Sequence, residues 1–302
     1  MTRINEAGVL YTLIYGEVSS LSVNPIEKKP VFHFYPGSRW LSLGSWGCNF
    51  RCPGCQNWEI AHWRGESLGP GDFLSPSDQV ETALRHGCLG ISWTFNEPTL
   101  WFEYTLESAR LARKKGLHTN YVTNGSITEE ALGLLAPHMD VYRVDVKGFS
   151  PETYRQLAHL SDWEGILNVT ERVKRSGIHV EVVTNIIPGF NDDAKQLMEM
   201  ASWIRNRLGE DTPWHVTRFH PHLKLSHPMP TPVPTLERAR TTGLNAGLQY
   251  VYIGNVPGHR GENTYCHKCH ALLIERFVFD VLKNRIEDGC CPRCRVRIPG
   301  TF

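Results

Sequence analysis

Three cysteines in one short loop constrain this chain more than any other feature. They are Cys48, Cys52 and Cys55, spaced C-x3-C-x2-C within the run from Ser45 to Asn57. Three thiolates from one loop can hold three irons of a cubane [4Fe–4S] cluster and leave the fourth iron open to another ligand. The four-cysteine ferredoxin patterns close every iron site, and a structural zinc site needs a fourth ligand that this loop lacks. The spacing therefore predicts an iron–sulfur centre with an open coordination position.

Buried structural cysteines and a disulfide are the alternative interpretations of this triplet. Free cysteine is usually packed among apolar residues, whereas Asn49, Arg51 and Gln56 surround these three thiols. The polar surroundings favour the metal centre. Cys88, in contrast, lies just before an apolar segment and is interpreted as a small core residue.

Composition limits the partners and the compartment. A chain of 302 residues with 41% hydrophobic content can bury a large core, as one large domain or two smaller ones. Its formal net charge of +1 gives no argument for nucleic acid or an anionic membrane as a partner. No apolar run approaches about 20 residues, and the N-terminus has no signal-peptide core. Most of the nine cysteines fall into metal-type spacings, so we expect a cytoplasmic protein.

Short apolar segments alternate with longer amphipathic segments between about residues 40 and 253. This alternation predicts an α/β fold with a parallel sheet. The expected strands are 40–43, 90–93, 118–122, 141–145, 179–185, 215–219 and 250–253, and the expected helices are 100–115, 128–135, 162–176 and 194–208. Right-handed connections curl such a series into a full or partial barrel, whose functional residues lie on loops after the strands.

The cysteine triplet is the signature of the radical S-adenosylmethionine (SAM) superfamily, and the chain resembles that superfamily well beyond the triplet. Segments 25–38, 48–59 and 94–99, and Gly254-Asn255 before paired CxxC motifs, resemble landmarks of the radical SAM member of the AmmeMemoRadiSam system. That member is related to glycyl-radical-enzyme activators. The resemblance implies a partial (β/α)6 barrel, and the six strands expected before residue 220 match that number.

The resemblance also implies a [4Fe–4S] cluster and SAM as cofactors. In this superfamily the SAM amino and carboxylate groups bind the open iron. The reduced cluster passes one electron to the sulfonium, which releases methionine and a 5′-deoxyadenosyl radical that abstracts hydrogen from a substrate. A low-potential electron donor, such as flavodoxin or ferredoxin, is the implied partner. A protein substrate or another component of the system is the second implied partner.

Polar residues follow the second and third expected strands. The resemblance assigns Glu97, next to Asn96, to the SAM ammonium, because a carboxylate accepts charge-assisted hydrogen bonds from it. A charge that stabilises the N-terminus of the next helix is the alternative role for Glu97. Asn124, before Gly125, is a further candidate cofactor contact, and turn chemistry alone also explains this Asn-Gly pair.

The last three strands of the barrel end in further candidates. Asp145 and Lys147 alternate onto one face of their strand, and resemblance to the activators assigns them to the SAM carboxylate and ribose. A simple ion pair at the rim is the alternative. Asn185 ends the next strand. His220 matches a histidine of the activators, although a lone histidine is more often structural.

The triplet departs from the family at Gly54, where an aromatic residue usually packs against adenine. Phe50 and Trp58 are the nearby candidates for that contact, and packing on the first helix is the alternative for both. The departure bears on how adenine is held and leaves the cluster assignment unchanged.

Two CxxC motifs lie near the end of the sequence. They are Cys266 with Cys269 and Cys291 with Cys294, separated by 21 residues, which is close to zinc-ribbon spacing. Four thiolates in tetrahedral reach favour a closed, structural zinc site, and an auxiliary [4Fe–4S] cluster is the alternative. Cys290 stands beside the second motif, but Cys291 keeps the two-residue spacing to Cys294.

Glycine and proline between residues 255 and 264 predict a domain boundary near 256. We therefore expect an N-terminal extension (1–38), a radical SAM partial barrel (39–256) and a small zinc-ribbon-like domain with four cysteine ligands (257–302). The leading function is a radical SAM enzyme, which includes the activation of a glycyl radical on a partner protein. An electron-transfer or sensor iron–sulfur protein is the second class, and a zinc-ribbon binding module on an inert barrel is the third. Acidic residues in the tail argue against nucleic acid.

Overall fold

The computed structural model describes residues 2–63 and 72–302. Its strands are β1 (Arg3–Glu6), β2 (Val9–Thr12), β3 (Glu17–Val18), β4 (Ser20–Pro25), β5 (Arg39–Gly44), β6 (Asp72–Phe73), β7 (Gly90–Trp93), β8 (His118–Thr123), β9 (Val141–Asp145), β10 (His179–Ile186), β11 (Trp214–Arg218), β12 (Val251–Gly254), β13 (Thr264–Tyr265), β14 (Leu272–Phe277) and β15 (Asp280–Asn284). Its helices are α1 (Trp58–Ala61), α2 (Pro76–Arg85), α3 (Phe102–Lys114), α4 (Glu129–Leu135), α5 (Pro151–Ala158), α6 (Glu164–Arg175), α7 (Ala194–Trp203) and α8 (Val233–Asn245).

One eight-stranded sheet forms the centre of the molecule. Its strand order is β12-β11-β10-β9-β8-β7-β5-β4. The strands from β5 to β12 pair in parallel, and β4 pairs antiparallel with β5. Because β4 and β12 are edges, the sheet is an open, partial barrel. The expected α/β partial barrel is thereby confirmed, and the six strands expected before residue 220 correspond to β5 and β7 to β11.

Close packing at the start of β7 explains one glycine of the sheet. All four residues of β7 are buried, as expected for a strand covered on both faces. A Cβ on Gly90 would lie 2.4 Å from the ring of Trp40 and 2.4 Å from the carbonyl oxygen of His118. Only glycine at position 90 therefore leaves room for the ring of Trp40, which extends from β5 over the start of β7.

Side-chain caps begin four of the helices. Ser75, Thr128, Ser150 and Asp193 each accept a hydrogen bond from the backbone N–H three residues later, which satisfies a donor that the helix leaves free. The expected helix 194–208 is α7 followed by a π-helical turn, Ile204–Leu208. No helix in the described part of the chain has the length and apolar composition needed to cross a bilayer.

Three helices, α2, α5 and α8, were not among the expected elements. In α8 the run Thr241-Thr242-Gly243 has low helix propensity. Tertiary packing favours glycine at this position. A Cβ on Gly243 would lie 2.8 Å from Val251 and 2.9 Å from the ring of Trp214, so the helix backbone packs directly against these side chains. The helix forms because it fits closely over β11 and β12.

The last part of the N-terminal extension, residues 26–38, covers the lower end of the barrel, where the parallel strands begin. The backbone N–H groups of Phe32 and His33 donate to the carboxylate of Glu181, each at 2.8 Å. Phe34 packs with Trp40 and with other residues at the beginnings of the strands. Segment 26–38 therefore lies across the bottom.

The C-terminal cysteine unit contacts the β12 edge of the open sheet and the N-terminal extension. Strands β13, β14 and β15 form a separate antiparallel sheet, which shares a small apolar core with Phe32 and with Tyr252 of β12. Its Arg276 pairs with Glu27, directly after β4, and both side chains are fully buried. This contact joins the unit to the N-terminal extension. A domain boundary near residue 256 stays a prediction.

Candidate functional site

One pocket of about 500 Å³ lies where the parallel strands end. All seven residues that the sequence assigned to cofactor binding line it: Asn96, Glu97, Asn124, Asp145, Lys147, Asn185 and His220. Cys48, Cys52 and Cys55 line the same pocket. Its volume is within the range of small-molecule sites. The structure thus brings the predicted residues together, while the contact of each one with a cofactor stays a prediction.

Asn96 holds the cysteine loop against the loop that follows β7. Its Oδ1 accepts from the Ser45 N–H at 3.1 Å, and its Nδ2 donates to the Ser45 hydroxyl at 3.1 Å and to the Gly47 carbonyl at 2.6 Å. Asn57, at the other end of the loop, donates to the Phe95 carbonyl at 2.6 Å. Asn96 therefore acts in this structure as a positioning residue for the cysteine loop.

The three thiols of the cysteine loop lie in partly buried surroundings. The Phe50 N–H donates to Cys48 Sγ at 3.4 Å, and Asn124 Nδ2 lies 3.9 Å from the same sulfur. Burial raises the pKa of Cys48 to about 12 and also raises the pKa values of Cys52 and Cys55. The free thiols are therefore protonated at neutral pH, and a bound metal would supply the charge that stabilises thiolates.

Glu97 connects the loop after β7 with the end of β8. Its Oε1 accepts from the Thr99 N–H at 3.0 Å, the Thr99 hydroxyl at 2.7 Å and the Thr123 hydroxyl at 2.8 Å. Its Oε2 accepts from the Asn124 N–H at 2.7 Å and retains acceptor capacity for an ammonium. The bond to Thr99 caps the 3₁₀ turn Pro98–Trp101, so the alternative helix-terminal role is present as well. Burial raises the pKa of Glu97.

Asp145 lies between two cations on the pocket wall. Arg143 Nη1 lies 2.6 Å from Oδ2, and Lys147 Nζ lies 3.7 Å from Oδ1. The expected same-face arrangement of Asp145 and Lys147 is present. Burial raises the pKa of Asp145, but the two cations lower it by more, so the net pKa lies below the usual value. Sequence reasoning missed Arg143, although it also lies two residues from Asp145 on the same face.

Two buried polar atoms of the pocket-lining residues have no partner among the described residues. They are Oδ1 of Asn185 and Nε of Arg143. Buried polar groups are nearly always hydrogen-bonded, so these atoms indicate a polar guest. Three thiols beside carboxylates, amides and a lysine form a donor set that fits a [4Fe–4S] cluster with SAM. His220 is exposed at the rim of the pocket.

Leu225 packs over Gly54, the position of the missing aromatic residue. A Cβ on Gly54 would lie 3.0 Å from Leu225 Cδ1, and the Lys224 N–H donates to the Pro53 carbonyl at 2.9 Å. The segment after β11 therefore closes over the cysteine loop and takes the space that a side chain at position 54 would need.

The two aromatic candidates for adenine contact differ in burial. Phe50 is 3% exposed and lines the pocket, whereas Trp58 begins α1 and is 41% exposed. Phe50 is thus the better placed of the two, and its contact with adenine stays a prediction.

Residues from both ends of the chain complete the pocket wall. Lys28, Lys29 and Pro30 come from the N-terminal extension, and Phe279 comes from the turn between β14 and β15. Sequence reasoning missed all four. No local spacing marks them, because they meet the cysteine loop only through long-range packing.

The four C-terminal thiols converge on one point. The sulfurs of Cys266, Cys269, Cys291 and Cys294 all lie within 4.8 Å of one another. Two of the cross-motif pairs, Cys266 with Cys294 and Cys269 with Cys291, are 3.6 Å apart. Cys290 is not part of this group. The predicted four-cysteine grouping is present, and its geometry allows a metal ion.

A sequence model described as the Radical SAM superfamily matches residues 45–204. An uncharacterized protein of Methanocaldococcus jannaschii is 43% identical over 298 residues, which cover 98% of this chain and 88% of that protein. The pyruvate formate-lyase-activating enzyme of Clostridium pasteurianum is 23% identical over 190 residues, which cover 60% of this chain and 77% of the enzyme.

A solved structure of SuiB from Streptococcus suis bound to S-adenosylmethionine has a similar fold. It aligns with a TM-score of 0.57 and 13% sequence identity. The alignment covers 80% of this chain and 56% of SuiB. At this identity the likeness concerns the fold alone.

Proposed function

This chain belongs to the radical SAM superfamily, and we propose that it is an enzyme with a [4Fe–4S] cluster on Cys48, Cys52 and Cys55 and SAM in the adjoining pocket. One observation carries this proposal: the three thiols and polar residues from successive strand ends line a single pocket of about 500 Å³. An electron-transfer or sensor protein needs a buried cluster but no polar cavity for a second molecule. The pocket therefore favours turnover.

When bound, the cluster and SAM supply one-electron chemistry, in which reductive cleavage of SAM yields methionine and a 5′-deoxyadenosyl radical that takes a hydrogen atom from the substrate. The chain's own residues bind and orient the two cofactors. Asn96 fixes the cysteine loop, and the free acceptor capacity of Glu97 suits the SAM ammonium. Lys147 suits the SAM carboxylate, while Asp145, ionised beside Arg143, suits a ribose hydroxyl. Asn185 and His220 are proposed as further cofactor contacts.

An apolar cluster encloses one side of the pocket. Leu157, Ile187 and Phe219 are buried together, with Leu225 packed against them, and all four line the pocket. Such a wall excludes water from a reactive centre. This exclusion supports the proposal, because an exposed radical would react with whatever is adjacent.

We propose zinc as the metal of the four C-terminal cysteines. Four sulfurs around one zinc at about 2.3 Å lie roughly 3.8 Å apart in a tetrahedron, close to the 3.6 Å between Cys266 and Cys294. A cubane cluster puts a separate iron on each cysteine and spreads the sulfurs farther apart. The short separations support zinc over an auxiliary cluster.

A glycyl-radical activase acting on a partner protein is the more specific candidate within the enzyme class. The activating enzyme of Clostridium pasteurianum supports it. This role requires a protein substrate and a low-potential donor such as flavodoxin or ferredoxin. We keep a place in the AmmeMemoRadiSam system, a cytoplasmic location and domains at 1–38, 39–256 and 257–302 as further proposals.

An anaerobic turnover assay tests the proposed function. The protein is reconstituted with iron and sulfide, reduced with dithionite and mixed with SAM, and 5′-deoxyadenosine is measured by chromatography beside a Cys52→Ala control. Product above that control supports radical SAM chemistry. Absence of product, despite an intact cluster and bound SAM with a candidate partner protein present, would favour the sensor or electron-transfer role.

A further inference from the structure

Lys29 places the amine of a largely buried side chain in the wall of the proposed SAM pocket. It follows the turn Ile26–Lys28, directly after β4, and it is 4% exposed. Its Nζ lies 4.9 Å from the ring centroid of Phe95, in the loop after β7. The segment that covers the bottom of the barrel thus contributes Lys29, with the exposed Lys28 beside it, to the pocket wall.

No protein carboxylate neutralises Lys29 within the described residues. Its ammonium forms no hydrogen bond or ion pair with the described residues, and its one ring contact among them is with the face of Phe95. The two pocket carboxylates have other partners, since Glu97 is held by backbone and hydroxyl donors and Asp145 is shared by Arg143 and Lys147. An ammonium on a largely buried side chain is unfavourable without a counter-charge, so an anion bound in the pocket would stabilise it.

The pKa of Lys29 should depend on whether an anion is bound beside it. Burial, together with the charges of Lys28 and Arg143, lowers the pKa of Lys29 to about 7. An anion beside the amine would raise the pKa and restore the ammonium, which the face of Phe95 then stabilises by a cation–π contact. Arg143 adds a buried Nε without a partner among the described residues, a second donor in the same pocket.

We propose that Lys29 binds an anionic group of the substrate, a carboxylate or a phosphate, with Arg143 as the second source of positive charge. The inference rests on the proposed radical chemistry of this pocket, because it names what is bound beside SAM. It makes Lys29 a substrate-binding residue that enters from the N-terminal extension. The substrate class is therefore a molecule or side chain with a small anionic group.

The first test measures the reactivity of Lys29 in the reconstituted protein, with and without SAM. Trace acetic anhydride acetylates unprotonated amines, and peptide mass spectrometry gives the rate at Lys29 relative to Lys195, whose side chain is 82% exposed. Inorganic phosphate and acetate are the probes, each against sodium chloride at equal ionic strength. The relative rate should fall about tenfold once a probe exceeds its Kd about tenfold. Protection by one probe alone identifies a phosphate or a carboxylate.

Matched variants separate binding from folding. The protective probe should raise the Tm of the wild-type protein and of Lys29→Arg, which keeps the charge. It should not raise the Tm of Lys29→Met, which keeps the length of the side chain without the charge. Lys195→Met, on the exposed face of α7, should respond like the wild type. If Lys29→Met does not fold, the labelling rates and Lys29→Arg still decide the question.

Equal labelling of Lys29 in chloride, phosphate and acetate would overturn the inference. Protection by SAM alone, with no further effect of either probe, would also overturn it, because the anion would then be the SAM carboxylate. Neither measurement needs turnover. Protection of Lys29 in a protein that keeps its cluster and binds SAM, yet makes no 5′-deoxyadenosine with a candidate partner protein present, would refute the proposed enzyme and leave an anion site.

Discussion

The two cysteine sites of this chain differ in the number of thiols that they supply and in what surrounds them. The loop after β5 presents three thiols to a pocket lined with carboxylates, amides and lysines. The C-terminal unit brings four thiols within 4.8 Å of one another, in an apolar core with Tyr252 and Ile298. Three thiols leave a coordination position for a reacting ligand, whereas four close the site. Thiol number and surrounding polarity together distinguish the proposed open cluster site of the cysteine loop from the proposed closed zinc site of the C-terminal unit.

Segment 26–38 connects these two regions. Glu27 forms a fully buried ion pair with Arg276 of the C-terminal unit, while Lys29, two residues later, lines the pocket of the cysteine loop. Removing one partner of a buried pair leaves an uncompensated charge. The C-terminal unit is therefore joined directly to the segment that supplies Lys29 to the pocket wall.

Among these variants, Cys52→Ala should have the largest effect, because it removes one of the three thiolates proposed to hold the cluster of the open site. We expect loss of the cluster iron and a fall of 5′-deoxyadenosine formation to background, while the zinc content stays unchanged. Metal analysis and chromatography on one sample measure both. Cys88→Ala, at a core cysteine that is 6% exposed, is the control and should keep cluster and turnover. Turnover retained by Cys52→Ala would refute the site.

Cys291→Ser tests the closed site and should mainly lower stability. Structural zinc contributes about 10 kcal/mol or more of apparent binding free energy in zinc-finger peptides, so we expect the unfolding free energy to fall by on the order of 5 kcal/mol. Zinc analysis and thermal unfolding measure the change. Cys290→Ser alters the neighbouring thiol, which is outside the group, and should retain zinc. Equal zinc content in both variants would argue against a four-cysteine site.

The pH dependence of stability tests the contact that His33 of segment 26–38 makes with Pro299 of the C-terminal unit and with Tyr252 of β12. Its Nδ1–H donates to the Pro299 carbonyl and its Nε2 accepts from the Tyr252 hydroxyl, both at 2.6 Å. Burial lowers the pKa of His33 to about 4, against about 6.5 when unfolded. Between these values the unfolded chain binds a proton that the folded chain lacks. Stability should therefore fall by about 3 kcal/mol as the pH drops through this window.

Denaturant unfolding at pH 7 and pH 4.5 measures the contribution of His33. His33→Gln should lose less stability on acidification than the wild type, because it has no proton to gain. The control is His86→Gln, at an exposed position, which should behave like the wild type. If His33→Gln and the wild type lost the same stability on acidification, the protonation of His33 would not contribute to the pH dependence of stability.

Asp145→Ala should have the smallest of these effects, within the open site. Hydrogen bonds to charged groups contribute about 1.5–3 kcal/mol, so SAM affinity should weaken roughly tenfold to a hundredfold. Iron content should stay intact, because Asp145 is not a cluster ligand. Isothermal titration calorimetry measures the affinity. Glu152→Ala removes an exposed ion pair with Arg155 and serves as the control. Unchanged affinity in Asp145→Ala would remove this residue from the SAM site.

Local patterns in the sequence predicted the barrel and the two cysteine groupings. The alternation of strands and helices predicted the order of β5 and β7 to β11, because each element depends on nearby residues. The end-of-strand rule then predicted that Glu97, Asp145 and His220 share one pocket, since parallel strands end on the same side of the sheet. The CxxC spacings likewise predicted four converging thiols.

Roles that depend on distant contacts escaped sequence reasoning. The anchoring of the cysteine loop by Asn96, through Ser45 and Gly47, was not predicted, while its contact with the cofactor stays a prediction. Helix α8 was not predicted either; its run Thr241-Thr242-Gly243 has low helix propensity, and Gly243 packs closely against Trp214 and Val251. In these cases the deciding partner is far away in sequence.

The sequence by itself determined the chemistry that this protein can hold, because ligand number and spacing are local properties of the chain. It also determined the strand ends on which the candidate contacts lie. Only the tertiary structure decided which residues complete the pocket: Lys29 enters from the barrel floor, Leu225 covers Gly54, and Phe279 arrives from the C-terminal unit. These placements follow from packing between segments distant in sequence, and no local pattern encodes which buried surfaces meet.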